Sequence, residues 1–253
     1  MENQQPVIPS LSTSFRPTGH EVDAHKRIRL TSFLQKTQEA AEAHATLYNC
    51  GYQVLIKQNI VWVLSRMQIE VSRMPEWDEP VRLDTWHKRV ERIFALRDFQ
   101  LFDSQEKLII KATSAWLLMD LHSRRMLRVE HVLPYLALVN IPQDAISAVP
   151  GKLIVPEGAH LELKQRHQVV YSDLDLINHV TNTKYVEWAL DLLPVEAHHQ
   201  GLHSMTSFQI NFNLEARGGD TVDLWHFQNR DGNTQFVEGR RGEQNLFQCL
   251  VTF

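Results

Sequence analysis

The stretch Tyr171-Ser-Asp-Leu-Asp-Leu-Ile-Asn-His-Val-Thr-Asn-Thr-Lys-Tyr-Val-Glu-Trp188 sets Asp173, Asp175, Asn178 and His179 directly before an amphipathic run. Tyr185, Trp188, Ala189 and Leu192 recur at three- and four-residue spacing, a helical stripe that Pro194 should end. The first N–H groups of a helix have no intrahelical acceptor. A carboxylate, an amide and an imidazole placed there can therefore orient a water and stabilise an oxyanion. Asp and Asn before a helix are also ordinary caps, and on that reading His179 is a first-turn residue without chemistry.

Outward from this stretch, the chain repeats itself. Met67-Gln-Ile-Glu-Val-Ser-Arg-Met-Pro-Glu-Trp-Asp-Glu-Pro-Val-Arg-Leu83 aligns without a gap on Phe208-Gln-Ile-Asn-Phe-Asn-Leu-Glu-Ala-Arg-Gly-Gly-Asp-Thr-Val-Asp-Leu224, a constant offset of 141 residues. In both copies apolar side chains alternate with polar ones, the period of a half-buried strand. A helix precedes each copy. In the first half Leu30, Phe33, Leu34, Thr37, Ala41, Ala45 and Tyr48 form its stripe, and Gly51 is placed to stop it. Strand-like runs follow at 81–86, 93–102 and 108–120, then at 221–227, 234–238 and 246–253, with hairpin turns at 103–106 and 240–243. Each half thus reads as one helix on an antiparallel sheet, an α+β layered unit used twice. The expected division is a loosely ordered tail over 1–10, a first unit over 11–138, a Pro- and Gly-rich linker over 139–163 and a second unit over 164–253.

The opening stretch resembles the hallmark of acyl-acyl carrier protein (acyl-ACP) thioesterases, Asp-x-Asn-x-His-Val-Asn-Asn-x-Lys-Tyr. Asp175, His179, Val180, Asn182, Lys184 and Tyr185 match in register. Thr181 replaces one Asn. Ile177 stands where the family has another, and Asn178 follows one residue later. Shorter markers in the first half agree in order and spacing: Trp62-Val-Leu-Ser-Arg66, Arg73-Met-Pro-Glu-Trp77, Asp84-Thr-Trp86, Arg97-Asp98-Phe99 and Ala112-Thr-Ser-Ala-Trp116. The resemblance implies a tandem (double) hotdog fold, in which a long helix packs on a curved antiparallel sheet in each half. It also implies hydrolysis of acyl-ACP to free fatty acid; a reducing, cytoplasmic location is the reading of the two isolated cysteines instead. It assigns catalysis to Asp175 and His179, with Asn178 as a displaced amide donor and Glu215 as a further carboxylate. Glu215 corresponds to Met74 in the first copy. There Glu21-Val-Asp23-Ala-His25 keeps an acid and a His at two-residue spacing, so the first half reads as the degenerate copy and as the acyl-chain side. Trp62, Met67, Ile69, Met74 and Trp77 are its apolar wall candidates.

The remaining features bound the function. With 253 residues, 43% hydrophobic and 22% charged content, the chain is of ordinary globular composition. A formal net charge of −4 gives no general pull toward nucleic acid or membrane. Neither an apolar run of membrane-spanning length nor a nucleic-acid module is visible. Cys50 and Cys249 lack metal or disulfide spacing, and no Ser or Cys sits in a nucleophile elbow. His198, His199 and His203, with only Glu196 nearby, make a poor metal set, so no metal or cofactor is expected. Lys88, Arg89, Arg92, Arg124, Arg125 and Arg128 read either as charged turns or as a basic rim for an acidic carrier protein. An acyl-CoA thioesterase and a non-catalytic acyl-binding protein are the alternatives, and the reading leaves room for a homodimer.

Overall fold

The computed structural model describes residues 9–193 and 205–253. The first half begins with strand β1 (Leu11–Phe15), helix α1 (Leu30–Leu47) and a short helix α2 (Tyr52–Leu55). It continues through β2 (Ile60–Val71), β3 (Val81–Glu91), β4 (Phe94–Phe102), β5 (Leu108–Asp120) and β6 (Met126–Leu127). Two short helices, α3 (Val129–Val132) and α4 (Pro134–Ala137), lead into the connection between halves. The second half comprises β7 (Glu162–Gln168), α5 (Asn182–Asp191), β8 (Ser207–Phe212), β9 (Thr221–Gln228), β10 (Thr234–Arg241) and β11 (Gln244–Thr252). Among the described residues these strands make one antiparallel sheet in the order β1-β3-β4-β5-β2-β8-β11-β10-β9-β7, with β6 beside β5.

The two alternating runs of the sequence become the seam of this sheet. Met67 on β2 lies opposite Ile210 on β8, Gln68 opposite Gln209, and Ile69 opposite Phe208. Gln68 and Gln209 are equivalent positions of the two copies and face each other. A pseudo-twofold axis therefore passes between them. The pairing removes the edge that each half would otherwise expose.

Met67, Ile69, Phe208 and Ile210 are essentially inaccessible and anchor the main core. Helices α1 and α5 lie against this apolar face and touch one another. The α1 stripe is buried as its periodicity requires, from Leu30 through Tyr48. Burial of each such Leu or Phe contributes roughly 1.5–3 kcal/mol. Thr37 escapes the cost of an unpaired hydroxyl by donating to the Leu34 carbonyl at 2.7 Å. A second core collects Tyr48, Cys50, Leu55, Leu118, Val129 and Leu136 under the end of α1.

Several expectations shift. Asn49, not Gly51, takes the left-handed position that ends α1, at φ 54°. The Cys50 N–H donates to the Ala45 carbonyl and that of Asn49 to Thr46, which satisfies the last turn. Gly51 starts α2 instead, where a Cβ would strike the Thr46 and Glu42 side chains. Strand β3 runs five residues beyond Trp86 to Glu91, and β7 begins at Glu162, inside the expected linker. The linker is also fixed to the sheet. Gly151 O accepts the side-chain amides of Gln209 and Asn211, and Ile146 O accepts from Lys88 Nζ at 2.8 Å. Residues 1–8 of the expected tail, and Pro194, Glu196, His198, His199 and His203, lie outside the described residues.

Candidate active site

The two halves build the same turn at the entrance to their helices. In the second half Asp175 Oδ1 accepts the backbone N–H groups of Ile177 at 3.0 Å and His179 at 3.1 Å, while Asp175 N donates to His179 O. Asn178 is left-handed at φ 64°, and Leu174 bridges Val180. In the first half Asp23 Oδ1 accepts from His25 at 2.8 Å and Arg27 at 3.0 Å, and Asp23 N donates to Arg27 O. Lys26 is left-handed at φ 63°, and Val22 bridges Ile28. His179 is therefore matched by Arg27, and His25 holds the place of Ile177. The expected pairing of His25 with His179 is corrected: the acid-to-imidazole spacing in sequence missed the backbone register.

The turn aims His179 at the other end of the repeat. His179 Nε2 stands 3.3 Å from Glu215 Oε2, and both groups are largely but not fully buried. Arg124, from the turn after β5, reaches across the seam and pairs with the same carboxylate. Val180 N donates to Ala216 O at 2.9 Å, as Ile28 N does to Pro75 O in the first half. Glu215 and Met74 are thus structural equivalents. Tyr185 on α5 fixes this strand end: its hydroxyl accepts the Ala216 N–H at 2.8 Å, one residue from Glu215. Its ring packs on Phe247, with centroids 5.1 Å apart. Asp173 braces the loop from behind, accepting from Val170 N and meeting His167 Nε2, both at 2.9 Å. The His167 ring lies on Trp188. Thr181 precedes α5 without a side-chain cap bond; Lys184 N donates to Thr181 O at 2.9 Å, which leaves the Asn182 and Thr183 amides for another acceptor. A carboxylate–imidazole pair beside open helix amides can accept a proton from water and hold a developing oxyanion.

Of the remaining candidates, Asn178 occupies the left-handed corner of the turn, a conformation that Asn tolerates well. Trp62 lines a half-open cavity of the first half, of about 70 Å³, beside Ala41, Ala45, Cys50 and Trp116. Met67 and Ile69 are core residues at the seam, Met74 is partly buried against that core, and Trp77 is 54% exposed. The structure thus brings together Asp175, His179 and Glu215 but not the five apolar candidates. Burial pushes the Cys50 thiol up to about 11 and the Cys249 thiol up as well, so neither is a ready thiolate. Lys88 is fully buried against Asp98 and Asp144 and belongs to no rim. Arg125 and Arg128 are exposed beside Arg124. No group of three or more metal-ligating side chains occurs among the described residues.

Sequence reasoning missed Arg124 as a neighbour of Glu215 and Tyr185 as its anchor. The first contact spans 91 residues and has no local signal. The second was present only as a matched motif position.

Comparison with known proteins places the chain in a family. The model of the acyl-ACP thioesterase N-terminal domain matches residues 11–133, and that of the C-terminal domain matches residues 159–249. An oleoyl-acyl carrier protein thioesterase of Arabidopsis thaliana is 27% identical over 234 residues, covering 85% of this chain and 62% of the relative. A palmitoyl-acyl carrier protein thioesterase of Gossypium hirsutum is 26% identical over 221 residues, covering 83% and 53%. The chain therefore spans little more than half the length of these relatives. The crystal structure of an acyl-ACP thioesterase from Bacteroides thetaiotaomicron superposes with a TM-score of 0.83 at 26% identity, covering 96% of this chain and 97% of the other. A 12:0-ACP thioesterase from Umbellularia californica shares the fold, with a TM-score of 0.79 at 19% identity and 96% coverage of both chains.

Proposed function

The chain belongs to the acyl-ACP thioesterase family, and from that premise we propose that it hydrolyses fatty acyl thioesters of acyl carrier protein in the cytoplasm, releasing free fatty acid. The observation that carries this reading is the 3.3 Å approach of His179 to Glu215 at the entrance of α5. The substrate carbonyl sits at the start of α5, where the open first-turn amides receive its oxygen as negative charge develops. One well-placed donor of this kind is worth roughly 3–4 kcal/mol of barrier. Water attacks the carbonyl carbon and passes a proton to the His179–Glu215 pair. The C–S bond then breaks, and the leaving thiolate takes that proton.

Asp175 commits one carboxylate oxygen to the turn that sets His179. Its second oxygen remains to hold the water. Arg124 fixes Glu215 from the opposite half. Asn178 serves as the turn's left-handed corner, and the oxyanion falls to backbone donors. The exposed Arg125 and Arg128, next to Arg124, suit an acidic carrier docking over the site, since complementary charge steers encounter. No described helix is long and apolar enough to cross a membrane.

The test is side-by-side turnover of acyl-ACP and acyl-CoA of matched chains. Hydrolysis of acyl-ACP with the higher kcat/KM, lost in Glu215→Gln, is expected. Preferential turnover of acyl-CoA, or turnover indifferent to Glu215, overturns the reading.

A further inference from the structure

The cavity under the end of α1 contains two polar groups that neither the fold nor the hydrolysis uses. Arg97 is only 8% exposed, and among the described residues no carboxylate lies within ion-pair distance of its guanidinium. Its Nη1 lies 3.0 Å from His44 Nδ1 and donates to Thr85 Oγ1 at 3.2 Å. Glu42 also lines the cavity, but its Oε1 accepts the Tyr52 backbone N–H at 2.7 Å, and it forms no ion pair with Arg97. His87 is 2% exposed, and its Nε2 has no hydrogen-bond partner. The ring's other nitrogen is turned to the Leu136 backbone. A buried cation whose nearest carboxylate, Glu42, is engaged elsewhere and a buried ring nitrogen with no hydrogen bond are costly unless something fills the cavity between them.

The two groups ask for complementary things. A guanidinium only donates. Burial keeps the His87 ring neutral, its N–H directed to a carbonyl, so Nε2 only accepts. A methyl group satisfies neither, and a carboxylate sets its lone pairs against Nε2. A hydroxyl both accepts and donates. Position adds a second constraint. Glu215 follows β8, while Arg97 on β4 and His87 on β3 lie three and four strands away across the sheet. At about 4.8 Å per strand that is roughly 14–19 Å, far from any carbon next to the thioester.

We propose that this cavity receives the acyl chain and recognises a hydroxyl near its distal end, Arg97 donating to the oxygen and His87 Nε2 accepting the proton. The preferred substrate is then a distally hydroxylated fatty acyl thioester, a claim that rests on the thioesterase reading above.

Two measurements separate the claims. The first compares kcat/KM for acyl-ACPs of one chain length that are unsubstituted, 3-hydroxylated or hydroxylated next to the methyl end. The distal hydroxyl should raise kcat/KM at least about tenfold over both others, and His87→Leu should bring the ratio close to one. The second needs no turnover: the free distally hydroxylated and unsubstituted fatty acids are titrated into the wild-type protein, read by the fluorescence of Trp62 and Trp116, which line the cavity. At least tenfold tighter binding of the hydroxy acid is expected. Equal affinity of the two acids means that the polar pair holds only a resident water, and overturns the proposal even if hydrolysis is brisk. Tighter binding of the hydroxy acid without any thioester turnover upholds it and removes the thioesterase reading instead.

Discussion

His179 and Arg27 occupy the same place in two copies of one turn, yet among the described residues only the His179 side chain meets a carboxylate there. The difference lies in single side chains on a shared backbone: Glu215 opposite His179, Met74 opposite Arg27. His179→Ala and Glu215→Gln should each lower kcat by at least about a hundredfold, the scale of lost acid–base help. Circular dichroism should stay unchanged. Asp175→Asn isolates charge from shape, because the Asn oxygen still accepts the Ile177 and His179 N–H groups. It should cost a similar factor, whereas Asp23→Asn should cost less than threefold; comparable losses at both positions would remove the division between halves. Asn178 takes the same left-handed corner as Lys26, which has no catalytic neighbour, so its identity is explained by conformation. Asn178→Gly keeps that corner without the amide and should leave kcat within about threefold. A fall of tenfold or more would instead make the side chain an oxyanion donor.

At the scale of elements, the linker is held to the outer face of the first sheet by one buried charge cluster. Lys88 Nζ on β3 lies 3.3 Å from Asp98 on β4 and 2.8 Å from Asp144 of the linker, and donates to Ile146 O. Asp98 in turn accepts from Thr113 Oγ1 at 2.6 Å and Ala145 N at 2.7 Å. Lys88→Met strands a buried carboxylate and should destabilise by roughly 3–5 kcal/mol in urea unfolding. Adding Asp98→Asn should recover part of that loss. An additive double mutant would show that the two charges do not act as a pair. None of this was legible in the sequence, where Lys88 looks like any surface cation. What was legible had a periodic cause. The α1 stripe and the β2 and β8 alternations each bury one face, and burial writes the pattern. Strand β7 buries almost nothing, with only His167 less than exposed, so it left no pattern to read. Strand β1 is a short edge strand with a weak alternation. The helix-entry turns were visible as motifs, but their register is set by backbone bonds to Asp23 and Asp175. Residue spacing alone therefore matched the wrong pair.

For the whole molecule, the pseudo-twofold at Gln68 and Gln209 sets a polar catalytic entrance in one half beside an apolar cavity in the other, and that cavity makes stability depend on pH. Burial lowers the pKa of His87 to about 3 from an ordinary 6.5, and the neighbouring Arg97 and His44 push the same way. The folded protein therefore keeps this ring neutral while the unfolded chain protonates it. The contribution is fully present above about pH 6.5 and is lost as pH falls from there toward 3, at about 1.4 kcal/mol per pH unit. His226, lowered mainly by burial, acts in the same direction. The ion-paired carboxylates Glu21 and Glu79, also lowered, add to it only below their unfolded pKa of about 4.5. Between pH 6.5 and 5 the buried histidines thus dominate. Urea unfolding of the wild type should lose stability across that window, and His87→Leu should lose about 1.6 kcal/mol less over the same interval, because the unfolded ring goes from half to almost fully protonated. Parallel stability–pH curves for the two proteins would mean that His87 titrates in the folded state as it does in the unfolded one, so that burial does not hold the ring neutral below pH 6.5.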